Sequence, residues 1–170
     1  NDVNPNFKLL GTNMTSSLCT FSTTEAGITL TTGDTPDNQA IVLPHLDTNQ
    51  TAWTGIIWGT ENQVEWECAI SVADISNVCF WAGLKLTKTP VLVTDNDQAY
   101  FIFDSSDTII GSSILTTDAN MHFVYSIDGT DYTTNLGITV AANTVYKLRI
   151  SIDSDRKVSV FIGSTNSSNG

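Results

Sequence analysis

Apolar and polar residues alternate strictly from Tyr146 to Ile152 and again from Val158 to Ile162. On the first arm Tyr146, Leu148, Ile150 and Ile152 share one face while Lys147, Arg149 and Ser151 share the other, the period-two pattern of a half-buried strand. Between the arms, Asp153, Ser154, Asp155 and Arg156 form a polar turn, where short side chains bend the backbone through their own hydrogen bonds. The segment therefore predicts a β-hairpin. Asn62–Ser71 alternates in the same way, placing Val64, Trp66, Cys68 and Ile70 against Glu65, Glu67, Ala69 and Ser71. Val78–Leu86 is almost continuously apolar, which predicts a central strand covered on both faces and closed by Lys88, Thr89 and Pro90.

Shorter runs complete the pattern. Gly27–Thr32 reads as a strand, followed by turn residues Gly33, Asp34, Pro36, Asp37 and Asn38, and Ala40–Leu43 is an apolar run stopped by Pro44. Ala99–Asp104, Met121–Ile127 and a brief Ile138–Ala141 precede the final hairpin. Roughly nine to eleven short strands separated by Gly, Asp, Asn and Thr turns, with no sustained helical period, predict an all-β chain of two packed antiparallel sheets. Neither heptads nor a repeat of about 20–50 residues is present, which excludes coiled-coil and solenoid architectures for this segment.

The 170 residues, 41% of them hydrophobic, suffice for one domain with its own core. Residues 1–23 read as an extended N-terminal arm, 24–162 as the sandwich, and 163–170 as a linker-like tail continuing into a longer polypeptide. With 18 acidic against 7 basic residues, the net charge of -11 repels phosphate backbones and anionic headgroups. Nucleic acid and membrane surfaces are accordingly not expected as partners. No apolar run of about 18 residues spans a membrane, and no charged segment leads into an apolar core as in a signal peptide. Cys19, Cys68 and Cys79 lack C-x-x-C spacing, and Cys68 and Cys79 stand in apolar registers, so they read as buried thiols, with a Cys68–Cys79 bridge as the alternative.

Candidate chemistry is sparse. Glu65 and Glu67 share a strand face within about 7 Å, the range of a glycosidase carboxylate pair. Jelly-roll glucanases carry such a set on one strand as E-x-D-x-E or E-x-D-x-x-E, and here Ala69 and Ile70 stand at the two positions where the last acid would fall, so a solvated strand face is the plainer reading. Asp95 and Asp97, in the segment TDNDQ, offer hard oxygen ligands for calcium, with a simple acidic turn as the alternative. No other cofactor is indicated. His45 and His122 lie in no metal-binding spacing, and no nucleophile elbow or phosphate-binding glycine loop occurs. Trp53 and Trp58, in TAWTGIIWGT, are the candidates for stacking on a sugar ring, because Trp66 and Trp81 fall in core registers.

The segments WGTENQVEWE and TDNDQAY, with the hairpin YKLRISIDSDRKV, resemble structural proteins of tailed bacteriophages that carry a concanavalin A-like, laminin-G-like jelly roll. The likeness covers about residues 24–162, and departs at Gly163, where such domains continue with further strands. It implies a jelly-roll sandwich whose last strands are missing from this segment or whose edge a neighbouring subunit supplies, and a non-enzymatic role on the virion surface, as a capsid decoration protein or a fibre or knob domain. The implied partners are capsid or fibre proteins of the same virion and further copies of the chain. An adhesin that binds host-surface glycans is the alternative.

Overall fold

The computed structural model describes residues 8–22, 27–33, 35, 38–43, 63–85, 95–105, 119–155 and 157–166. The chain divides into two compact units, Asn1–Ile56 and Ile57–Gly170, with the boundary inside the segment read above as one sandwich.

In the first unit, β1 (Lys8–Leu10) pairs antiparallel with β4 (Ile41–Leu43), and β2 (Cys19–Phe21) with β3 (Ile28–Leu30). A single 3₁₀ turn at Ser16–Leu18 leads into β2. Strand pairing thus reaches into the segment read as an extended arm. The register Cys19↔Leu30 and Phe21↔Ile28 places these four side chains on one face of the β2–β3 ribbon.

The second unit contains a three-stranded sheet in the order β11-β10-β5 and a four-stranded sheet in the order β6-β7-β8-β9. The first is built from β5 (Val64–Ile70), β10 (Thr144–Ile152) and β11 (Val158–Asn166), the second from β6 (Cys79–Leu84), β7 (Gln98–Asp104), β8 (Asn120–Ile127) and β9 (Thr130–Thr139). Every pairing is antiparallel. Tyr146, Leu148, Ile150 and Ile152 of β10 share a core with Phe80, Phe101, Phe103, Met121 and Phe123 of the other sheet, so the two sheets pack as a sandwich. Val64, Trp66, Cys68 and Ile70 of β5 and Val158, Val160 and Ile162 of β11 flank that core, as their alternation predicts.

The hairpin turn follows its chemistry. Asp153 Oδ1 accepts hydrogen bonds from the backbone N–H of Asp155 at 2.9 Å and of Lys157 at 2.8 Å. Beyond Ile162, β11 continues through Gly163 to Asn166 opposite Thr144–Lys147, into the segment read as a linker-like tail.

Two further expectations change. The apolar segment Val78–Leu86 contributes β6, which stands at the end of its sheet among the described residues, although Phe80 packs in the sandwich core while Cys79 and Trp81 pack on the opposite face. The interior, doubly covered strand is β7, every residue of which is buried. Of the brief strand expected at Ile138–Ala141, only Ile138 and Thr139 are strand, the end of a longer one, β9, joined to β8 by a tight turn. Asp128 at φ 50 and Gly129 at φ 77 both adopt left-handed backbone there, the signature of a type I′ hairpin whose twist matches that of its strands.

Candidate functional site

Strand alternation puts one set of side chains from the four-stranded sheet into the sandwich core and the other set on the opposite face. That opposite face is buried too: Tyr100, Ile102 and Val124 are fully enclosed, with Cys79 and Trp81 packed against them. Polar groups are buried beside them, namely Asp95, Gln98, Asp104, His122 and Ser126. A buried polar group is costly unless hydrogen-bonded, so this face is a natural place to look for chemistry.

The register aligns Gln98 with Ser126 and Ser126 with Asp131, while Leu84 opposite Ala99 brings the next residue, Lys85, alongside Gln98. A continuous row results. Lys85 Nζ donates to Asp95 Oδ2 at 3.3 Å and to Gln98 Oε1 at 3.0 Å. Gln98 Nε2 donates to Ser126 Oγ at 2.7 Å, and Ser126 Oγ donates in turn to Asp131 Oδ1. The side chains of Lys85 and Asp95 are 0% and 2% exposed, so the ion pair is dry. Burial pulls the Lys85 pKa below its ordinary value, against the opposing charge of Asp95.

The adjacent row runs through Gly83 and Tyr100. Lys85 Nζ lies 5.7 Å from the Tyr100 ring centroid, and Trp81 meets the same ring edge-on at 6.1 Å. The Tyr100 hydroxyl is buried without a hydrogen-bond partner among the described residues. Its burial, and secondarily the charge of Asp131, pushes that hydroxyl well above the usual phenol range.

The outer face of the three-stranded sheet differs, being charged and exposed. Glu65 and Glu67 do share a face, as strand parity requires, but Arg149 lies opposite them, its Nε 3.8 Å from Glu65 and 3.9 Å from Glu67. Ser151 Oγ donates to Glu65 Oε1 at 2.8 Å. The Arg149 guanidinium carbon also sits 4.0 Å from the Phe161 ring centroid, a cation–π contact across β10 and β11. One arginine nitrogen thus lies within ion-pairing range of both carboxylates. A cleft at one end of the sandwich, bordered by Leu84, Ala99, Tyr125, Ile152 and Val158, has a volume of about 40 Å³. That is room for water rather than for a sugar, since small-molecule sites run to about 300–1,000 Å³.

Of the residues singled out from sequence, Trp53 and Trp58 lie outside the described residues. Asp95 and Asp97 are drawn to different partners: Asp95 is buried against Lys85, while exposed Asp97 accepts a hydrogen bond from the Asp128 N–H at 3.4 Å. Among the described residues no group of three or more His, Cys, Asp and Glu side chains converges to hold a metal ion. None of their helices is long and apolar enough to cross a membrane. The cysteines are free thiols.

Lys85, Gln98, Tyr100, Ser126 and Asp131 were not anticipated. The available signal was in β7, where Gln98, Tyr100 and Asp104 occupy alternate positions of an otherwise apolar strand. Comparison with known proteins gave no matching family model, no matching curated protein and no matching solved structure.

Proposed function

We propose that the chain is a non-catalytic structural module of a virion, a jelly-roll sandwich that works through contacts between subunits on the particle surface as a decoration or fibre domain. The observation that carries the contact role is the β2–β3 ribbon. Phe21 is 60% exposed and Ile28 and Leu30 are each 39% exposed, all on one face. Apolar surface left in water forgoes about 25 cal/mol per Å² that a docked neighbour would recover. Contiguous exposed apolar groups of this kind mark interaction surfaces more often than isolated ones do. Phe161 on the outer face of the three-stranded sheet adds a second exposed aromatic, at 48%.

The virion setting is supported by the resemblance of WGTENQVEWE, TDNDQAY and the late hairpin to phage structural proteins. The test is quantitative peptide mass spectrometry on density-gradient-purified particles and on the lysate left behind. Peptides such as Ile150–Arg156 are expected to enrich with the particles. A stoichiometry near that of the major capsid protein assigns decoration, and a few copies per particle assigns a fibre. Absence from the particles overturns the proposal.

A further inference from the structure

We infer that Lys85 and Asp95 condense to an intramolecular amide, a covalent cross-link between the end of β6 and the start of β7 that needs no other molecule. The two groups are already placed for it. Lys85 Nζ lies 3.3 Å from Asp95 Oδ2, and their side chains are 0% and 2% exposed. Gln98 Oε1 holds the same nitrogen at 3.0 Å, and the Tyr100 ring lies 5.7 Å from it. A nitrogen and a carboxyl group held together from several sides react as an intramolecular pair, for which effective molarities reach about 10⁵–10⁸ M.

The burial matters as much as the distance. In water an ammonium and a carboxylate remain charged and unreactive toward each other. In a dry site the separated charges lose most of their solvation, and passing one proton from nitrogen to oxygen leaves a neutral amine beside a neutral carboxylic acid. Burial shifts Lys85 in that direction, while the charges of Asp95 and Asp131 oppose it.

The amine lone pair then attacks Asp95 Cγ. A nitrogen–carbon bond forms and one carbon–oxygen bond of the carboxyl group breaks, with the departing oxygen carrying off two protons as water. The balance is Lys–NH₃⁺ plus Asp–COO⁻ giving one amide and one water, with nothing oxidised or reduced. Two buried charges become one neutral amide, and positions 85 and 95 are tied covalently. The same site without the bond is an ordinary buried ion pair, and the two differ in mass.

The test is the intact mass of the purified full chain under denaturing conditions, followed by peptide mapping. The expected mass is one water below that of the sequence. Dehydration at Asp128-Gly129 would give the same loss, so the map decides the position. Trypsin should fail to cleave after Lys85, and residues 9–88 should be recovered joined to residues 89–147 through Lys85 and Asp95. Lys85→Gln should restore the full sequence mass. Asp95→Asn should lose ammonia instead of water and arrive at the same final mass as the cross-linked wild type. A wild-type chain at its full sequence mass, cleaved normally after Lys85, overturns the inference.

Discussion

Gly83 is where the fold should be least tolerant of a single added carbon. It lies in β6 opposite Tyr100 with φ at +151, and a Cβ built there would stand 2.6 Å from both the Ala99 carbonyl oxygen and Tyr100 Cα. Two costs combine in Gly83→Ala. A side chain in that backbone region costs about 1–3 kcal/mol. Relieving the overlap costs a further ~1–3 kcal/mol, because the obstructing atoms are backbone and β6 must draw away from β7. The expected loss is about 4 kcal/mol, a large part of the ~5–15 kcal/mol typical of a domain.

Two other glycines separate these causes. At Gly137, φ is +67 and nothing lies within 4 Å of the added Cβ, so Gly137→Ala should lose only the left-handed penalty of about 1–2 kcal/mol. At Gly163 the new Cβ would meet only Lys147 Cβ, at an ordinary 3.9 Å, and the variant Gly163→Ala should gain about 0.5 kcal/mol from a stiffer unfolded chain. Urea unfolding followed by tryptophan fluorescence reads all three. With a slope of about 2 kcal/mol per molar, Gly83→Ala should lower the midpoint by about 2 M. A midpoint shift no larger than that of Gly137→Ala would refute the close-approach argument.

Burial pushes the Cys68 thiol up to about 11 and, with a lesser contribution from the charge of Asp104, the Cys79 thiol up to about 12, from an ordinary 9.0. The unfolded chain therefore releases these protons first, so their stabilising effect is complete below pH 9 and declines as pH rises from 9 through 11–12. The unfolding midpoint should fall across that window, and native Cys68 and Cys79 should resist alkylation at pH 8; labelling as fast as in urea would contradict their burial. Glu65→Gln and Glu67→Gln should each change stability by less than about 0.5 kcal/mol, since the ion pairs are exposed and long; a loss above about 1 kcal/mol in urea unfolding would show that Arg149 binds them more tightly than the geometry implies. Copies of a chain with net charge -11 repel one another, so self-association through the β2–β3 ribbon should strengthen with added salt and disappear in Phe21→Ser. Light scattering that shows one mass at every ionic strength would remove the ribbon as a self-contact.

The late hairpin was legible because each arm alternates cleanly and Asp153 supplies the turn. The alternation of β5 was equally plain, and it placed Trp66 and Cys68 toward the core and the two glutamates outward. The hairpin joining β8 to β9 was missed although Asp128-Gly129 is a strong turn signal, because Thr130–Asn135 contains too few apolar residues to mark a strand. Among the described residues that segment pairs at the end of the sheet, where one-sided burial puts little demand on its side chains. A register irregularity between Met121 and His122 further separates the Thr130–Asn135 pairing from that of Ile138 and Thr139.

Alternation identifies which residues share a face; it does not say which face will be covered. Glu65 and Glu67 are spaced like Gln98 and Tyr100, two apart on a strand, and sequence alone made the glutamates the chemical candidates. The fold reverses their standing. The glutamates face solvent around an arginine, where water screens their charge. Gln98 and Tyr100 lie on a buried second face, where a lysine and an aspartate distant from each other in the apolar pattern are brought to 3.3 Å with water excluded. Asp95 drew notice as a calcium ligand because an acidic turn is visible in sequence, whereas its lysine partner is set by strand register, which is not. Among the described residues, this buried pair became recognisable only when pairing and burial were known together.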